Sequence, residues 1–404
     1  MRLRAAFAPT LLLAGWMATA VVRPWSDESV TDLPGRAALA GRMLAGELPY
    51  RDVPFEYPPL LAPFTALAGI GGTGVDQYRL GLAVVTLAFA FGVAWLCAGI
   101  ARALGMNGRT AFMAAAAAPF LLGAVLRSHL DLVSVVLLLT ALLMLLRERP
   151  AVGLALIGAG AMTKAFPLAA APVVLTWVAA RGGAQAMLRP ALALAATVAT
   201  LALGALALSP SGAHEALRYQ AERPVQIEST PSLLAMAVSR TPVRHSHGSV
   251  GIHGASARAF AVLLLAALVA LLALTCIWLY RAPTPAALVF GSLGAVVAAI
   301  SLGKVLSPQF LAWVVPLFAL AVAARARALA VASALALLLT LAVFPAWYPD
   351  LVDGSAAAKL LYAVRNASLV AAAVVACASI RGRARESARS TGPGRRPPPL
   401  PTPR

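Results

Sequence analysis

The sequence predicts an all-α polytopic membrane protein. Of its 404 residues, 60% are hydrophobic and only 12% are charged, and the mean hydropathy is +0.82. Soluble domains carry about 25% charged residues. Apolar stretches approaching the roughly 20 residues that cross a bilayer as a helix recur along the chain. One large soluble core is excluded, because a soluble chain of this length needs much more polar surface to meet water.

The apolar runs define the candidate spans 6–23, 79–101, 110–126, 130–147, 189–208, 258–279, 284–302, 308–323, 327–345 and 360–380. Residues 151–180 are ambiguous, because one helix of this length would be about 45 Å long. We interpret the segment as two short crossings, 151–163 and 166–180, that meet at Lys164. The Pro-rich segment 57–70 is typical of an interfacial or re-entrant helix. Ala18-Thr19-Ala20 resembles a signal cleavage site, but the following loop leads into more membrane, which favours a span.

Charge placement decides between one and two crossings at 151–180. If the N-terminus is cytoplasmic, two crossings place every arginine-rich connector on the cytoplasmic side, in agreement with the positive-inside rule. These connectors carry Arg102, Arg109, Arg147, Arg149, Arg181, Arg189, Arg281, Arg325 and Arg327. The sequence therefore predicts about 11–12 crossings in a membrane domain, residues 1–380, with both termini cytoplasmic. Residues 381–404 are expected to form a disordered, basic, Pro-rich cytoplasmic tail.

The net charge of +18 does not indicate nucleic-acid binding, because the arginines lie in short clusters between apolar runs. We expect no nucleic-acid partner; membrane lipid is the expected environment. His245, His247 and His253 hint at a metal site, but no cysteine or carboxylate cluster completes a coordination shell. We interpret them as part of a solvated loop, and expect neither metal nor cofactor.

Ionisable groups gather in the predicted extracytoplasmic segments 24–58, 127–129, 209–257, 303–307 and 346–359. Asp27 and Glu28 are interpreted as a solvated acidic pair. Asp32 precedes a helix-like segment and is placed either to cap that helix or to act in catalysis. His129 and Asp131 stand where two spans meet; alternatively, Asp131 simply pairs with Arg127.

Charged groups near the ends of spans are costly unless they are paired, and therefore mark functional positions. Lys164 and Lys304 are two of only three lysines and lie at the same predicted depth. Either both snorkel or they share an anionic partner. A short helix lying on the membrane surface is predicted within HEALRYQAERPVQIEST, residues 214–230, with Leu217, Ala221 and Val225 on one face. Three polar side chains of this segment are expected to face one cavity. They are Arg223, Gln226 and Glu228.

Five stretches resemble glycosyltransferase family 87, whose members are polytopic enzymes of the GT-C class. They are TDLPGRAALAGRMLAGELPYRDVPFEYPPL, SHLDLVSVVLLLTALLMLL, GAGAMTKAFPL, RPVQIEST and KVLSPQFLAWVVPL, in this order. The PYRD-x-x-x-EYPP and SPQ-aromatic elements, the latter containing Gln309, are the most specific. The sequence departs from the family at Phe310, where tyrosine is frequent, and at Leu33-Pro34-Gly35, where an aromatic often follows the acid.

The resemblance implies a GT-C-like bundle with its active site in the extracytoplasmic loops. It implies transfer of a sugar, mannose or a related one, from a polyprenyl-phosphate donor to a glycolipid or glycan acceptor. Asp32 matches the position of the family's general base. Direct displacement at the anomeric carbon would invert its configuration. Lys164, Lys304 and Arg223 would bind the lipid phosphate, since a catalyst without a nucleotide donor needs cations there.

The stretch Tyr50–Pro59 is expected to form the rigid floor of this site. Tyr50, Phe55 and Tyr57 can stack on sugar or prenyl chain, Arg51 and Asp52 are expected to pair, and Glu56 is the second candidate for the base. The alternative function is a multi-span transporter or lipid-sugar flippase. It is less favoured, because transporters place ionisable groups near the bilayer midplane, in helices of matched halves.

Overall fold

The computed structural model describes residues 2–239 and 242–390, with side chains from residue 9 to residue 381. The α-helices in this part are α1 (Arg2–Val21), α2 (Leu33–Leu44), α3 (Ala62–Ala68), α4 (Val75–Ala103), α5 (Gly108–Ala116), α6 (Ala118–Leu122), α7 (Ala124–Arg127), α8 (Asp131–Leu146), α9 (Pro150–Ala161), α10 (Ala171–Gly182), α11 (Leu188–Leu208), α12 (Pro210–Glu222), α13 (Thr230–Val238), α14 (Ala255–Arg281), α15 (Pro285–Leu302), α16 (Val315–Ala323), α17 (Arg327–Val343), α18 (Tyr348–Val352) and α19 (Ala356–Ser390). Short 3-10 helices span Pro59–Leu61, Phe166–Ala170, Ala184–Met187 and Pro308–Trp313.

The fold is that of an all-α polytopic membrane protein, as the apolar runs predict. Five helices among the described residues are long and apolar enough to cross a membrane: Val75–Ala103, Ala184–Leu208, Ala255–Arg281, Pro285–Leu302 and Ala356–Arg381. Helix α15 is central and almost fully enclosed by its neighbours, which include α14 and α19. The other predicted spans contain apolar helices that are shorter than these five. Because helix length alone does not show that the shorter ones cross a membrane, the number of crossings stays a prediction.

Several predicted spans are interrupted helices, and glycine and proline explain the interruptions. The run at 110–126 divides into α5, α6 and α7, with Gly123 at φ +62°, a left-handed conformation that suits glycine. The segment 151–180 forms two helices, α9 and α10, which meet at a turn containing Lys164. Pro167 lies in the 3-10 helix that opens the return. Two helices are thus observed where the sequence predicts two short crossings, and the crossings themselves stay a prediction.

The helices alternate so that the connections gather at two ends of the bundle. We call one the cavity end; its connections are 22–74, 128–130, 162–165, 209–254, 303–307 and 344–355. We call the other the arginine end; its connections are 104–107, 147–149, 183–187, 282–284 and 324–326. At the arginine end Glu148 pairs with Arg181 at 2.9 Å, which joins two of the predicted connectors.

A three-stranded antiparallel sheet lies at the cavity end. Its strands are β1 (Val225–Gln226), β2 (Val243–Ser246) and β3 (Ser249–Ile252), in the order β1-β3-β2. One face of this sheet covers a small apolar cluster that includes Ile227, Val250 and Tyr362. The cluster fastens the long 209–254 connection to α19.

Helix α19 extends to Ser390, so the first residues of the predicted tail, 381–404, continue a helix. Residues 391–404 lie outside the described part of the chain. The predicted helix after Asp32 is confirmed as α2, with Pro34 in its first turn. The predicted helical segment 57–70 contains a 3-10 helix and α3.

The prediction that Glu28 is solvated is wrong. Its carboxylate lies 2.7 Å from Nη2 of Arg127 and 2.9 Å from Nε of Arg79, and only 13% of the side chain is exposed. The alternative pairing of Asp131 with Arg127 is wrong for the same reason, because Arg127 takes Glu28 as its carboxylate. Two guanidinium groups at the ends of neighbouring helices draw this loop acid inward. Asp27 accepts a hydrogen bond from the backbone N–H of Ser29 at 3.0 Å and forms only a local turn.

Replacing Glu28 with glutamine should lower the free energy of unfolding by about 1–3 kcal/mol, because the buried Arg127 guanidinium loses its carboxylate partner and Arg79 keeps only the exposed Asp76. Denaturant unfolding of the purified protein in detergent micelles measures the loss. Asp27→Asn is the matched control and should change stability by no more than about 0.5 kcal/mol. Equal losses in both variants would contradict the assigned role of Glu28.

Candidate functional site

Two adjoining cavities lie at the cavity end. The smaller, of about 400 Å³, receives residues from all six connections of that end, and we call it the lysine cavity. The predicted site residues that line it are Asp32, Glu56, Tyr57, His129, Lys164, Arg223, Gln226, Glu228 and Gln309. The larger, of about 650 Å³, is called the tyrosine cavity. The predicted residues that line it are Asp32, Tyr50, Arg51, Asp52, Glu56 and Tyr57. The two cavities share Asp32, Glu56 and Tyr57.

Asp32 lies where the two cavities meet, directly before α2. It occupies the N-cap position but makes no side-chain cap. Instead its Oδ2 lies 2.7 Å from Nη2 of Arg36, one helical turn onward, and its Oδ1 lies 3.9 Å from Nε2 of His129. Nη1 of Arg36 also donates to the carbonyl oxygen of Ser128 at 2.9 Å. The carboxylate is thus held in place, yet 53% of its side chain is exposed.

Sequence reasoning missed Arg36. The available signal is its spacing of four residues from Asp32 in a predicted helix, which places both side chains on one face.

Two opposing effects act on the pKa of the Asp32 carboxyl. Partial burial raises it, but the Arg36 guanidinium and the neighbouring positive groups lower it by more, so that the pKa lies below its usual value. Asp32 is therefore ionised at neutral pH and able to accept a proton.

His129 does not supply a positive charge at neutral pH. Burial, together with the nearby Arg36 charge, lowers the pKa of its imidazole to about 4. Its Nδ1 lies 2.9 Å from Oγ of Ser128 and 3.3 Å from the carbonyl oxygen of Val125. A neutral ring fixed at Nδ1 therefore presents its other nitrogen toward Asp32.

Lys164 and Asp131 form a buried ion pair at one wall of the lysine cavity. Nζ of Lys164 donates to Oδ2 of Asp131 at 2.7 Å, and Nε1 of Trp313 donates to the other carboxylate oxygen at 3.2 Å. Asp131 is almost completely buried. Nζ also lies 5.6 Å from the ring centre of Tyr57 and 5.5 Å from that of Phe310. Because Asp131 balances its charge, Lys164 is a poor candidate for the main anion-binding group.

The structure does not bring Lys304 into the lysine cavity beside Lys164. Its Nζ donates to the carbonyl oxygens of Ala221 and Arg223, each at 2.8 Å. Its own carbonyl oxygen accepts from the backbone N–H of Gln226 at 2.9 Å. Burial and the nearby Arg223 charge lower the pKa of its ammonium group. Lys304 therefore holds the chain between α12 and β1, and through it the position of Arg223.

Arg223 is the cavity cation that lacks an acidic partner. Its side chain is half-buried against the lysine cavity, and Nη2 donates only a long hydrogen bond, 3.4 Å, to Oγ of Ser249. In the part of the chain that the structure describes, we find no ion pair between Arg223 and a carboxylate. By contrast, Arg36 is paired with Asp32 and Lys164 with Asp131. An anionic ligand in this cavity would find its uncompensated positive charge at Arg223.

Gln226 and Glu228 reach the cavity wall from the interior, as the sequence predicts for one shared cavity. Oε1 of Glu228 lies 3.5 Å from Nη1 of Arg365. The Glu228 carbonyl oxygen accepts hydrogen bonds from Arg365 at 2.8 Å and from Asn366 at 3.0 Å. Burial, opposed by Arg365, raises the pKa of the Glu228 carboxyl to about 7. Sequence reasoning passed over Arg365, although a charge inside an apolar span is itself a signal.

The 50–57 stretch forms one wall of the tyrosine cavity. The Tyr50 hydroxyl donates to the carbonyl oxygen of Tyr57 at 2.6 Å, and the Tyr50 and Phe55 rings pack edge to face, 5.6 Å apart. Arg51 and Asp52 pair at 2.9 Å, as predicted. Helix α12 lies across this wall, where Nε2 of Gln220 donates to the carbonyl oxygen of Glu56 at 2.9 Å.

Residues 35–181 match the MptA_B family, described as alpha-(1->6)-mannopyranosyltransferase, N-terminal domain. The match covers less than half of the chain and begins three residues after Asp32; it includes His129, Asp131 and Lys164. No curated protein matches the chain. Together with the fold, the match supports a membrane glycosyltransferase that uses mannose, acting between a sugar donor and a glycan acceptor. Membership of glycosyltransferase family 87 stays a prediction.

Replacing His129 with glutamine should make the free energy of unfolding less dependent on pH below pH 7. The folded pKa of about 4 lies below the unfolded value of 6.5, so the unfolded state binds more protons in that window. The contribution of the neutral His129 ring to the free energy of unfolding is fully present above pH 6.5 and is lost as the pH decreases toward 4. Between pH 7 and pH 5 the wild type should lose about 2 kcal/mol more than the variant, measured by denaturant unfolding. If the profile of exposed His245→Gln is flattened equally, the assignment to His129 is wrong.

Lys164→Met or Asp131→Asn alone should each destabilise the protein by about 3–5 kcal/mol, because each leaves a buried charge without its partner. The double variant should lose clearly less than the sum of the two single losses. Thermal and denaturant unfolding of the four proteins complete the cycle. Additive losses would show that the two charges do not depend on each other.

Proposed function

We propose that this protein transfers a mannosyl group from a polyprenyl-phosphate donor to a glycan or glycolipid acceptor, with inversion, on the extracytoplasmic side of the membrane. The single observation that carries the proposal is the position of Asp32. This ionised, half-exposed carboxylate stands between a cavity lined by Arg223, which pairs with no carboxylate among the described residues, and a second cavity walled by tyrosines. Such an arrangement suits a base between a phosphate-bearing donor and a hydroxyl-bearing acceptor.

The lysine cavity fits the activated end of the donor. Arg223 can neutralise the phosphate as the glycosidic bond breaks, an attraction of roughly 4 kcal/mol at 4 Å for an effective dielectric of 20. Gln309, Gln226 and Glu228 offer hydrogen-bonding groups to the sugar from the same cavity. Lys164 serves chiefly to hold the cavity wall through Asp131.

The tyrosine cavity fits the acceptor. Tyr50, Tyr57 and Tyr219 line it with aromatic surface, which suits stacking on a sugar ring, and the last two also bring hydroxyl groups to it. Its two arginines, Arg36 and Arg51, are balanced by Asp32 and Asp52, so among the described residues this cavity offers a phosphate no free cation. An acceptor hydroxyl held here faces Asp32 from the side opposite the donor.

Asp32 then removes the proton of the acceptor hydroxyl as that oxygen attacks the anomeric carbon. Because Arg36 keeps the pKa of Asp32 low, the carboxylate is a weak base toward a free alcohol. Proton transfer is therefore coupled to attack, when the hydroxyl becomes more acidic. Attack from the face opposite the departing phosphate inverts the anomeric configuration.

The orientation follows from the arginine connectors. They lie at the end opposite both cavities, and the positive-inside rule assigns them to the cytoplasm. The proposed site then opens outside the cytoplasm, where nucleotide sugars are absent and a lipid-anchored donor is required. Both cavities lie at this end of the bundle, which favours a transferase over a transporter with a midplane site.

Asp32→Asn should lower kcat for mannosyl transfer by about 10²–10⁴-fold, because general-base assistance is lost. The affinity for the donor should change little, since Arg223 is untouched. Transfer from radiolabelled polyprenyl-phosphate mannose, in membranes containing the full-length protein, measures the effect. Asp76→Asn, a matched change of an exposed acid paired with Arg79, should leave activity unchanged.

Glu56→Gln tests the second candidate base in the same assay. We expect a smaller loss than in Asp32→Asn, because Glu56 lines both cavities but forms no ion pair with an arginine among the described residues. Unchanged transfer in Asp32→Asn with loss in Glu56→Gln would reassign the base. Unfolding curves of both variants separate chemical loss from misfolding.

A further inference from the structure

A β-hairpin closes one side of the lysine cavity. In β2 and β3, Ser246 lies opposite Ser249, so the turn has only two residues, His247 and Gly248. Their φ angles are +51° and +62°, both in the left-handed region required by the tightest hairpin turns. Glycine adopts this conformation freely, but histidine does so rarely. The turn therefore holds the His247 backbone in a conformation that histidine rarely adopts.

The hairpin is fastened to the segment that carries Arg223. Strand β3 pairs with β1 on its other side, with Gln226 opposite Gly251. The backbone N–H of Ile227 donates to the carbonyl oxygen of Val250 at 3.0 Å. Lys304 fixes the same segment through its two backbone hydrogen bonds. The hairpin tip and Arg223 therefore form one positioned unit.

The tip presents polar groups with incomplete hydrogen bonding. His247, Gly248 and Ser249 line the lysine cavity, and the only side-chain hydrogen bond we find for Arg223 in the described part of the chain is the long one to Ser249. The His247 ring packs against Tyr219, with ring centres 4.8 Å apart. Its Nδ1 is buried and has no hydrogen-bond partner among the described residues. A ligand in the cavity would meet the uncompensated guanidinium and the Ser249 hydroxyl, and because Nδ1 is enclosed, Nε2 is the ring nitrogen left to reach it.

We propose that Arg223, Ser249 and His247 together form a binding site for a phosphate ester. The guanidinium offers a fork of N–H donors, the Ser249 hydroxyl a further donor, and the imidazole one more. This inference rests on the proposed function, and it identifies the groups that hold the departing phosphate. It also gives His247 a role beyond that of a residue in a solvated loop.

The chemistry of transfer explains why such a site would assist the reaction. The bond between the anomeric carbon and the phosphate oxygen breaks, and its electron pair stays on that oxygen. The acceptor oxygen forms the new bond to carbon, and its proton passes to Asp32. The phosphate thus changes from a diester with one charge to a monoester with nearly two. Hydrogen-bond donors aimed at this oxygen bind the departing phosphate monoester more strongly than they bind the intact sugar donor.

Binding of farnesyl phosphate, a short prenyl phosphate, tests the site directly. The full-length protein is placed in phosphatidylcholine nanodiscs, and affinity is measured by thermophoresis, with farnesol as the phosphate-free probe. The wild type should bind farnesyl phosphate at least about tenfold more tightly than farnesol, the effect of a charge-assisted hydrogen bond or more. Ser249→Ala and His247→Phe should each weaken farnesyl phosphate binding about three- to tenfold.

The variants separate a polar role from a structural one. His247→Phe keeps an aromatic ring against Tyr219 but removes the nitrogens. His245→Phe is the matched control, since His245 is an exposed residue of β2, and it should bind as the wild type does. Unfolding temperatures identify any variant that has lost its fold, in which case Ser249→Cys, which nearly preserves the volume, replaces Ser249→Ala.

Each outcome has a distinct meaning. If the wild type prefers farnesyl phosphate but the folded tip variants bind it equally well, the hairpin site is refuted while the donor class stands. If the wild type does not distinguish farnesyl phosphate from farnesol, the proposed function itself fails. If inorganic phosphate or phosphatidylglycerol displaces farnesyl phosphate at equal concentration, the site recognises phosphate in general, which contradicts a prenyl-phosphate site.

Discussion

The pairing of buried charges determines how the cavity end of this bundle is built. A charge enclosed by apolar helices is costly unless a partner compensates it. The Lys164–Asp131 pair joins the turn between α9 and α10 to the start of α8 and is tied to Trp313 as well. At the cavity wall Arg365 of α19 holds Glu228 in the long connection. These pairs hold together connections that are distant in sequence.

The same pairing leaves an asymmetry that suits group transfer. Lys164 and Arg36 are neutralised by carboxylates, and His129 is neutral because burial lowers its pKa. The lysine cavity thus retains Arg223 as its uncompensated cation among the described residues, while Asp32 stays ionised beside it. A phosphate would be drawn to one side of Asp32 and a neutral sugar accommodated on the other. The proposed chemistry depends on this separation.

Much of the fold was predictable, because the lengths of apolar runs and the placement of arginines constrain helices directly. Sequence also indicated that residues of distant segments, such as Asp32, Lys164 and Arg223, meet at one end. Pairing partners were not predictable, because each depends on three-dimensional proximity. Glu28 was expected in solvent, yet two arginines enclose it. Lys304 resembled a second ligand-binding lysine, yet it binds backbone carbonyls.

A cryo-EM structure of the full-length protein in nanodiscs, bound to a non-transferable phosphonate analogue of polyprenyl-phosphate mannose, tests the central claim most directly. We expect the phosphonate to lie against the Arg223 guanidinium, with the anomeric carbon directed toward Asp32 and the Lys164–Asp131 pair intact. A phosphonate bound to Lys164 with Asp131 displaced, or an analogue bound at the arginine end, would contradict it.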